Sequence, residues 1–219
     1  MTMSSRFNPQ ITYYDPQKKA ESLFSIFLVG LFFPRRMFTG LPAASGLKNS
    51  AVLLACYLAV PSILMTTTFG AVASSLAPNF FVGIVVFISI LPISLVIGVS
   101  SSWLWAKYLS WALSHLSGKN ISTEAVFQVC AYSGPPFVIA WGPYLGPVMA
   151  LWNLLLNWKG LKHHCGVGYG LSLIAMFSGI ALLAIILIVI FILLFLLLPE
   201  NVNMLLESLA LIMQQRGWL

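Results

Sequence analysis

The residues best suited to binding a metal ion stand side by side near the end of the central region. His163, His164 and Cys165 are all of types that ligate transition metals. Adjacent residues cannot readily converge on one ion, and the remaining histidine, His115, lies alone in another segment. The spacing therefore predicts no metal site and no cofactor.

The glycine-rich string that follows resembles part of an ion-conducting structure. Residues 166–170 contain VGYG, which occurs in potassium-channel selectivity filters. Gly166 stands where the filter motif has a threonine, and no pore helix precedes the string. We therefore expect the match to be accidental.

Carboxylates are too few and too scattered to predict catalysis. The chain has five Asp and Glu residues, and Glu124 is the only one that adjoins a predicted membrane span before Glu200. A proton-coupled carrier needs an ionisable relay inside the membrane. Glu124 instead begins a helical segment, where it compensates the positive end of the helix dipole. With no convergent acids, bases or nucleophiles, the sequence predicts a protein that is not an enzyme.

Polar and helix-breaking residues within apolar sequence are the remaining candidates for a site. One apolar run is interrupted by five such residues in a row, Tyr132, Ser133, Gly134, Pro135 and Pro136. Discontinuous helices often bind substrates, but a break also lets small residues pack closely, and we favour that role. Asn153 and Asn157 share a helix face, where they would line a polar cavity or, as we favour, hydrogen-bond between helices.

Composition places all of these residues in or beside a lipid bilayer. The chain is 59% hydrophobic and 7% charged, with a mean hydropathy of +0.94, whereas soluble domains have about a quarter of their residues charged. No charged residue occurs between Lys48 and Lys107, or between Lys162 and Glu200. Each interval exceeds the roughly 20 residues that cross a bilayer. The net charge of +6 fits membrane orientation better than nucleic-acid binding, which we exclude.

The apolar runs predict an all-α integral membrane protein, a bundle of five kinked transmembrane helices. The expected spans cover about residues 51–73, 80–106, 124–141, 144–158 and 171–198 of a membrane domain over 23–198. Pro61 and Pro92 lie near the middle of the first two spans and should kink them. Ser122 or Thr123 is expected to cap the third span.

Amphipathic segments are expected at the membrane surface at both ends of the chain. Residues 1–22 form a polar arm. Residues 23–33 are too short to span and stop at Pro34, Arg35 and Arg36, so they form either an interfacial or re-entrant helix or a helix packed under the bundle. Residues 199–219 repeat apolar positions every three or four residues, which predicts a helix lying on the surface.

The distribution of basic residues orients the five predicted spans. With the N-terminus in the cytoplasm, every lysine and arginine except Arg216 lies on the inner side. Basic residues accumulate on the cytoplasmic side of membrane proteins. We therefore predict a cytoplasmic N-terminus and an external C-terminus.

The central region resembles a known family of membrane proteins. The string AYSGPPFVI, followed by GPYLGPVMALWNLLLNWKGLKHHCGV and preceded by FFPRRMF, is similar to the Yip domain family, named for Ypt/Rab-interacting membrane proteins. The resemblance covers about residues 23–198. The chain lacks the Asp-Leu-Tyr-Gly-Pro motif of eukaryotic members and has a short N-terminal arm, which indicates a prokaryotic type in a cytoplasmic (inner) membrane.

The resemblance implies a scaffold or adaptor that works through protein contacts. Family members are non-enzymatic multi-pass proteins associated with vesicle-mediated transport, and their partners are membrane or cytoplasmic proteins. A second copy of the chain is a further candidate partner. The alternative is a channel or transporter for a small solute or ion, with a cavity at the Gly134-Pro135 break.

Overall fold

The computed structural model describes residues 19–41, 46–76, 80–140 and 145–197. The predicted C-terminal tail, 199–219, and the N-terminal arm up to residue 18 lie outside these ranges, so both remain predictions. The described residues form helices joined by short connections and contain no strand.

Within the described ranges, seven α-helices and one 3-10 helix follow one another. They are α1 (Lys19–Phe32), α2 (Pro34–Thr39), α3 (Leu47–Leu76), α4 (Phe80–Ser117), α5 (Thr123–Tyr132), the 3-10 helix (Pro135–Val138), α6 (Leu145–His163) and α7 (Tyr169–Leu197). The all-α prediction is confirmed.

Three helices of the described chain, not five, are long and apolar enough to cross a membrane. Their candidate segments are Leu47–Thr68, Ile88–Ser117 and Tyr169–Phe195, which marks the chain as an integral membrane protein. The predicted span over 124–141 is wrong as a continuous helix, because α5 stops at Tyr132 after 10 residues. At about 1.5 Å per residue, α5 reaches about half of a 30 Å hydrocarbon core. The predicted span over 144–158 corresponds to α6, which carries Asn153, Asn157 and two lysines and is not among the candidates.

The two predicted kink prolines lie inside continuous helices. Pro61 is part of α3 and Pro92 is part of α4. Serine and threonine hydroxyls nearby donate to backbone carbonyls one turn back, such as Ser94 Oγ to Leu91 O at 2.8 Å. The bends themselves remain predictions.

Hydroxyl groups fix the corner between α4 and α5. Ser110 Oγ donates to the carbonyl of Ile121 at 2.6 Å, and Ser114 Oγ accepts from the Ile121 N–H at 3.1 Å. Ser122 then caps α5, since its side chain accepts from the Ala125 N–H at 3.1 Å. The predicted cap is confirmed as Ser122, and the corner turns α5 back along α4.

The chain divides into two units, residues 1–176 and 177–219. The first unit has a buried core between α3, α4 and α5 with α1, α2 and α6 packed around it. Leu53 and Leu54 of α3 and Leu109 and Leu113 of α4 are fully buried there. The core therefore lies at the end of the α3–α4 pair where α3 begins and α4 ends.

One face of α1 packs against this core, and the other is exposed. Ser22, Ser25, Ile26 and Val29 are buried at three- and four-residue steps, whereas Phe32 is 69% exposed. The helix is thus packed on one side and exposes aromatic side chains on the other, and its interfacial or re-entrant placement stays a prediction.

In the second unit, the described residues are the rest of α7. From Ile180 to Phe195 every side chain is exposed, and none is charged. A helix that is apolar on all sides is expected where its surroundings are hydrocarbon.

Candidate functional site: the closed helix break

The break after α5 arises from two consecutive residues without backbone N–H groups. Pro135 and Pro136 cannot donate to the carbonyls of Ala131 and Tyr132, which would be their partners in an α-helix. The Gly134 N–H donates to the Ala131 carbonyl at 3.1 Å instead. The chain therefore tightens into the 3-10 helix and α5 ends.

Asparagines of α6 satisfy the polar backbone at the break. Asn153 Nδ2 donates to the carbonyl of Ser133 at 2.6 Å. Asn157 Nδ2 donates to Asn153, to its carbonyl at 2.9 Å and to Oδ1 at 3.1 Å. Ser133 Oγ donates back to the Val129 carbonyl at 2.7 Å. We call the series Asn157, Asn153 and Ser133 the asparagine ladder, and it fixes α6 to the end of α5.

The break is filled by side chains of the protein. All residues from Tyr132 to Pro136 are buried. A Cβ on Gly134 would lie 2.7 Å from Tyr57 Cδ2, and a Cβ on Gly30 would lie 2.9 Å from Pro135 Cγ. Real Cβ atoms do not approach that closely. The break is therefore packed tightly against Gly30 of α1 and Tyr57 of α3.

The break lies at the depth of the middle of a candidate span. Tyr57, which contacts Gly134, lies midway along the segment Leu47–Thr68. Irregular backbone at such a depth is tolerated where protein buries it. The contacts between α5 and α6 run in opposite orders, because Asn153 meets Ser133 and Gly160 meets Val129. The two helices are therefore antiparallel.

The structure brings the seven predicted break and ladder residues together as one cluster. Within the described residues, two buried side-chain oxygen atoms have no hydrogen-bond partner. They are Asn157 Oδ1, in the cluster, and Tyr57 Oη, on a residue that contacts it. Leaving such atoms unpaired is costly, on the order of 1–3 kcal/mol each. They are the polar groups through which this cluster could contact anything else.

The histidines and cysteines near the end of α6 make packing contacts and hydrogen bonds within the protein. In the described ranges, no three His, Cys, Asp or Glu side chains converge. His164 Nε2 hydrogen-bonds Gln128 Oε1 at 2.8 Å, and burial lowers the pKa of His164. Burial also raises the pKa of the Cys165 thiol to about 12. A protonated, half-buried thiol is a poor nucleophile and metal ligand.

The VGYG string is a helix end and a helix start. Gly166 adopts φ +67 and its N–H donates to the Lys162 carbonyl at 3.1 Å, which ends α6 in the left-handed conformation that favours glycine. Tyr169 already begins α7. Part of the string is therefore helical, unlike the row of carbonyls in a filter.

The sequence did not indicate that the two arginines of α2 and two lysines of α6 lie on neighbouring, packed helices. Arg35 and Arg36 are exposed on α2, and α2 packs on α6, which carries Lys159 and Lys162. We call these four residues the basic cluster. Burial is the main cause of a lowered pKa of His163, and the nearby positive charges of Arg35, Lys162 and Lys159 lower this pKa further.

An aromatic pair borders the basic cluster. Trp158 Nε1 donates to the Tyr169 carbonyl at 2.9 Å, and the two rings lie 4.9 Å apart. Lys162 Nζ sits 3.7 Å from the centroid of the Tyr169 ring. Such a cation–π contact orients the ammonium group while leaving it positively charged. The spacing of a tryptophan and a lysine four residues apart on α6 was the sequence signal for this arrangement.

Comparison of the chain with protein-family models, curated proteins and solved structures gives no match. Its function is therefore argued from the geometry of the break, the exposed helices and the basic cluster.

Proposed function

We propose that the protein is a non-enzymatic multi-pass membrane scaffold or adaptor of the Yip type, acting through contacts with other proteins. The observation that carries this proposal is the filled break. Irregular backbone at mid-membrane depth is where carriers bind solutes, but here Tyr57, Gly30 and Asn153 occupy the space around it. Long apolar helices are exposed instead, so the surfaces that remain free are suited to lateral contacts.

The proposed topology has three crossing helices and one hairpin that re-enters the membrane. A hairpin formed by α5 and α6 returns Lys159 and Lys162 to the side of Lys119, just as two full crossings would. The positive-inside distribution therefore supports a cytoplasmic N-terminus and an external C-terminus for either count of spans. The resemblance to prokaryotic members favours a prokaryotic cytoplasmic membrane.

Site-specific photocrosslinking in native membranes tests the scaffold proposal. A photoreactive residue at Phe191, which is 70% exposed on α7, should give a discrete adduct of constant mass with a second copy or another membrane protein. The matched control is Phe127, which is 2% exposed and should crosslink only within the chain. Only uncrosslinked monomer and lipid adducts from Phe191, and from Phe81 on α4, would contradict the proposal.

The alternative is a small-solute or ion carrier, and the two unpartnered oxygens favour it. Tyr57 Oη and Asn157 Oδ1 are buried beside the break, where they would bind a polar solute if the packing opened. Flux of small ions or metabolites into proteoliposomes, reduced by Tyr57→Phe, would support this function. Absence of flux across a panel of such solutes would remove it.

A further inference from the structure

The basic cluster combines positive charge from two segments that are far apart in sequence. Arg35 and Arg36 belong to α2, whereas Lys159 and Lys162 belong to α6. A Cβ on Gly160 would lie 2.8 Å from Phe38 Cε1, so α2 and α6 are in direct contact at Phe38 and Gly160. The fold thus assembles a patch that neither helix has alone.

Glu124 is the acidic residue whose side chain the structure describes, and it does not neutralise this patch. Among the described side chains, neither the exposed Glu124 nor any of the four cations forms an ion pair. Clustered like charges repel one another at an effective cost that water screens only partly. An uncompensated cluster of this kind is therefore suited to an anionic ligand.

Apolar side chains beside the cations define the class of ligand. Phe32 and Phe33, immediately before α2, are 69% and 59% exposed. Trp158 and Tyr169 flank the other side, and such aromatic rings favour the boundary between hydrocarbon and headgroups. A ligand that satisfies both features carries a phosphate next to hydrocarbon chains.

We propose that the basic cluster binds the headgroup of an anionic phospholipid in the inner leaflet, with Phe32 and Phe33 against its acyl chains. Arg35 and Arg36 supply planar donors that match phosphate oxygens, while Lys159 and Lys162 supply point charges. An acidic protein segment would leave the two phenylalanines exposed to water, which makes it the less suitable partner.

Thermal unfolding of the purified full chain in neutral detergent, titrated with lipid, tests the proposal. Phosphatidylglycerol should raise the midpoint in a saturable way, whereas phosphatidylcholine and inorganic phosphate should not. Each basic residue near a membrane surface strengthens anionic-lipid binding severalfold, so the double variant Arg35→Gln/Lys159→Gln should weaken the apparent affinity about 30-fold.

A charge-matched control separates the cluster from general surface charge. Lys107→Gln/Lys119→Gln removes two exposed cations from other elements and should keep the wild-type response. Mass spectrometry of co-purified lipids should find similar amounts of phosphatidylglycerol with the wild type and the control variant, and less with the cluster variant. The proposal fails if the cluster variant responds like wild type, if the control loses as much, or if phosphate or phosphatidylcholine acts as well as phosphatidylglycerol.

Unfolding without added lipid gives a check on folding. Because Arg35 is exposed and Lys159 half-buried, and neither forms an ion pair in the described chain, the double variant should unfold close to wild type. If it is strongly destabilised instead, the single variant Arg36→Gln, at another exposed position of the cluster, repeats the titration and decides the outcome.

Discussion

Replacing Gly134 by alanine tests whether the break is closed by packing. The backbone of Gly134 has φ −67, which any residue adopts, so the substitution introduces no backbone strain. Its added Cβ would lie 2.7 Å from Tyr57 Cδ2 and 2.9 Å from the Ala131 carbonyl oxygen. The variant differs from the wild type only by the added methyl group. The change in unfolding free energy therefore reports how closely α3 packs against Gly134.

The expected cost follows from those two distances. Carbon atoms pack best about 3.5–4.0 Å apart, so the contact with Tyr57 is about 1 Å too short. Tyr57 is buried and the Ala131 oxygen is part of the backbone, and overpacking of this kind costs about 1–3 kcal/mol. Alanine regains about 0.4–1 kcal/mol by restricting the unfolded chain. We expect a net loss of about 1–2 kcal/mol.

Thermal unfolding in detergent, followed by tryptophan fluorescence, measures this loss. A change of about 1–2 kcal/mol corresponds to a midpoint lower by about 2–8 °C. Gly170→Ala is the matched control, because a Cβ there has nothing within 4 Å and should be neutral or stabilising. If Gly134→Ala has the same unfolding midpoint as Gly170→Ala, the break is not tightly packed and the scaffold proposal loses its main support.

Three further outcomes follow from the same contacts. Gly160→Ala should destabilise by about 1–2 kcal/mol, since its Cβ would lie 2.5 Å from Val129 Cγ1 and 2.8 Å from Phe38 Cε1, and displacement of Phe38 should weaken the phosphatidylglycerol response by moving α2 from α6. Asn153→Leu should cost about 1–3 kcal/mol in unfolding free energy, because the Ser133 carbonyl loses its 2.6 Å donor. Burial lowers the pKa of His164, so the unfolded state binds more protons, and stability should fall as pH drops below about 6.5.

Controls for these outcomes come from exposed or neutral positions. Asn120→Ala removes an exposed amide and should change unfolding by no more than about 0.5 kcal/mol. His164→Gln cannot titrate and should flatten the pH dependence measured by unfolding midpoints between pH 5 and pH 7.5. An unchanged slope in that variant would assign the dependence to another group, and a stable Asn153→Leu would mean that Ser133 finds a different donor.

Helix type and position were predictable where local chemistry decides them. The charge-free intervals located α3, α4 and α7, and Ser122 was correctly expected near the start of α5. These features depend on hydrophobic length and on a hydroxyl before a helix, which a sequence displays directly.

The count of spans was not predictable from the same pattern. Apolar runs of similar composition follow Glu124 on both sides of Pro135 and Pro136, but α5 ends at Tyr132 and α6 carries Asn153 into the core. Whether such a run crosses or returns depends on which helices bury its polar backbone. The distribution of basic residues does not distinguish two crossings from a returning hairpin, because both arrangements leave the lysines on one side.

The basic cluster could not be predicted from the sequence for a similar reason. Arg35 and Lys159 are separated by most of the chain, and nothing in either segment indicates the other. Their proximity follows from the missing side chain of Gly160, which lets Phe38 approach α6. A glycine inside an apolar helix has several possible causes, so this contact requires the folded structure.

The 3-10 turn at Pro135 also constrains the order in which the protein assembles. Its backbone lacks the hydrogen bonds of a complete helix, and hydrocarbon alone would not stabilise it. Tyr57 of α3 and Asn153 of α6 provide its surroundings. During biosynthesis we therefore expect α3 to be in place before the turn forms, and the turn to be stabilised fully only after α6 has been synthesised.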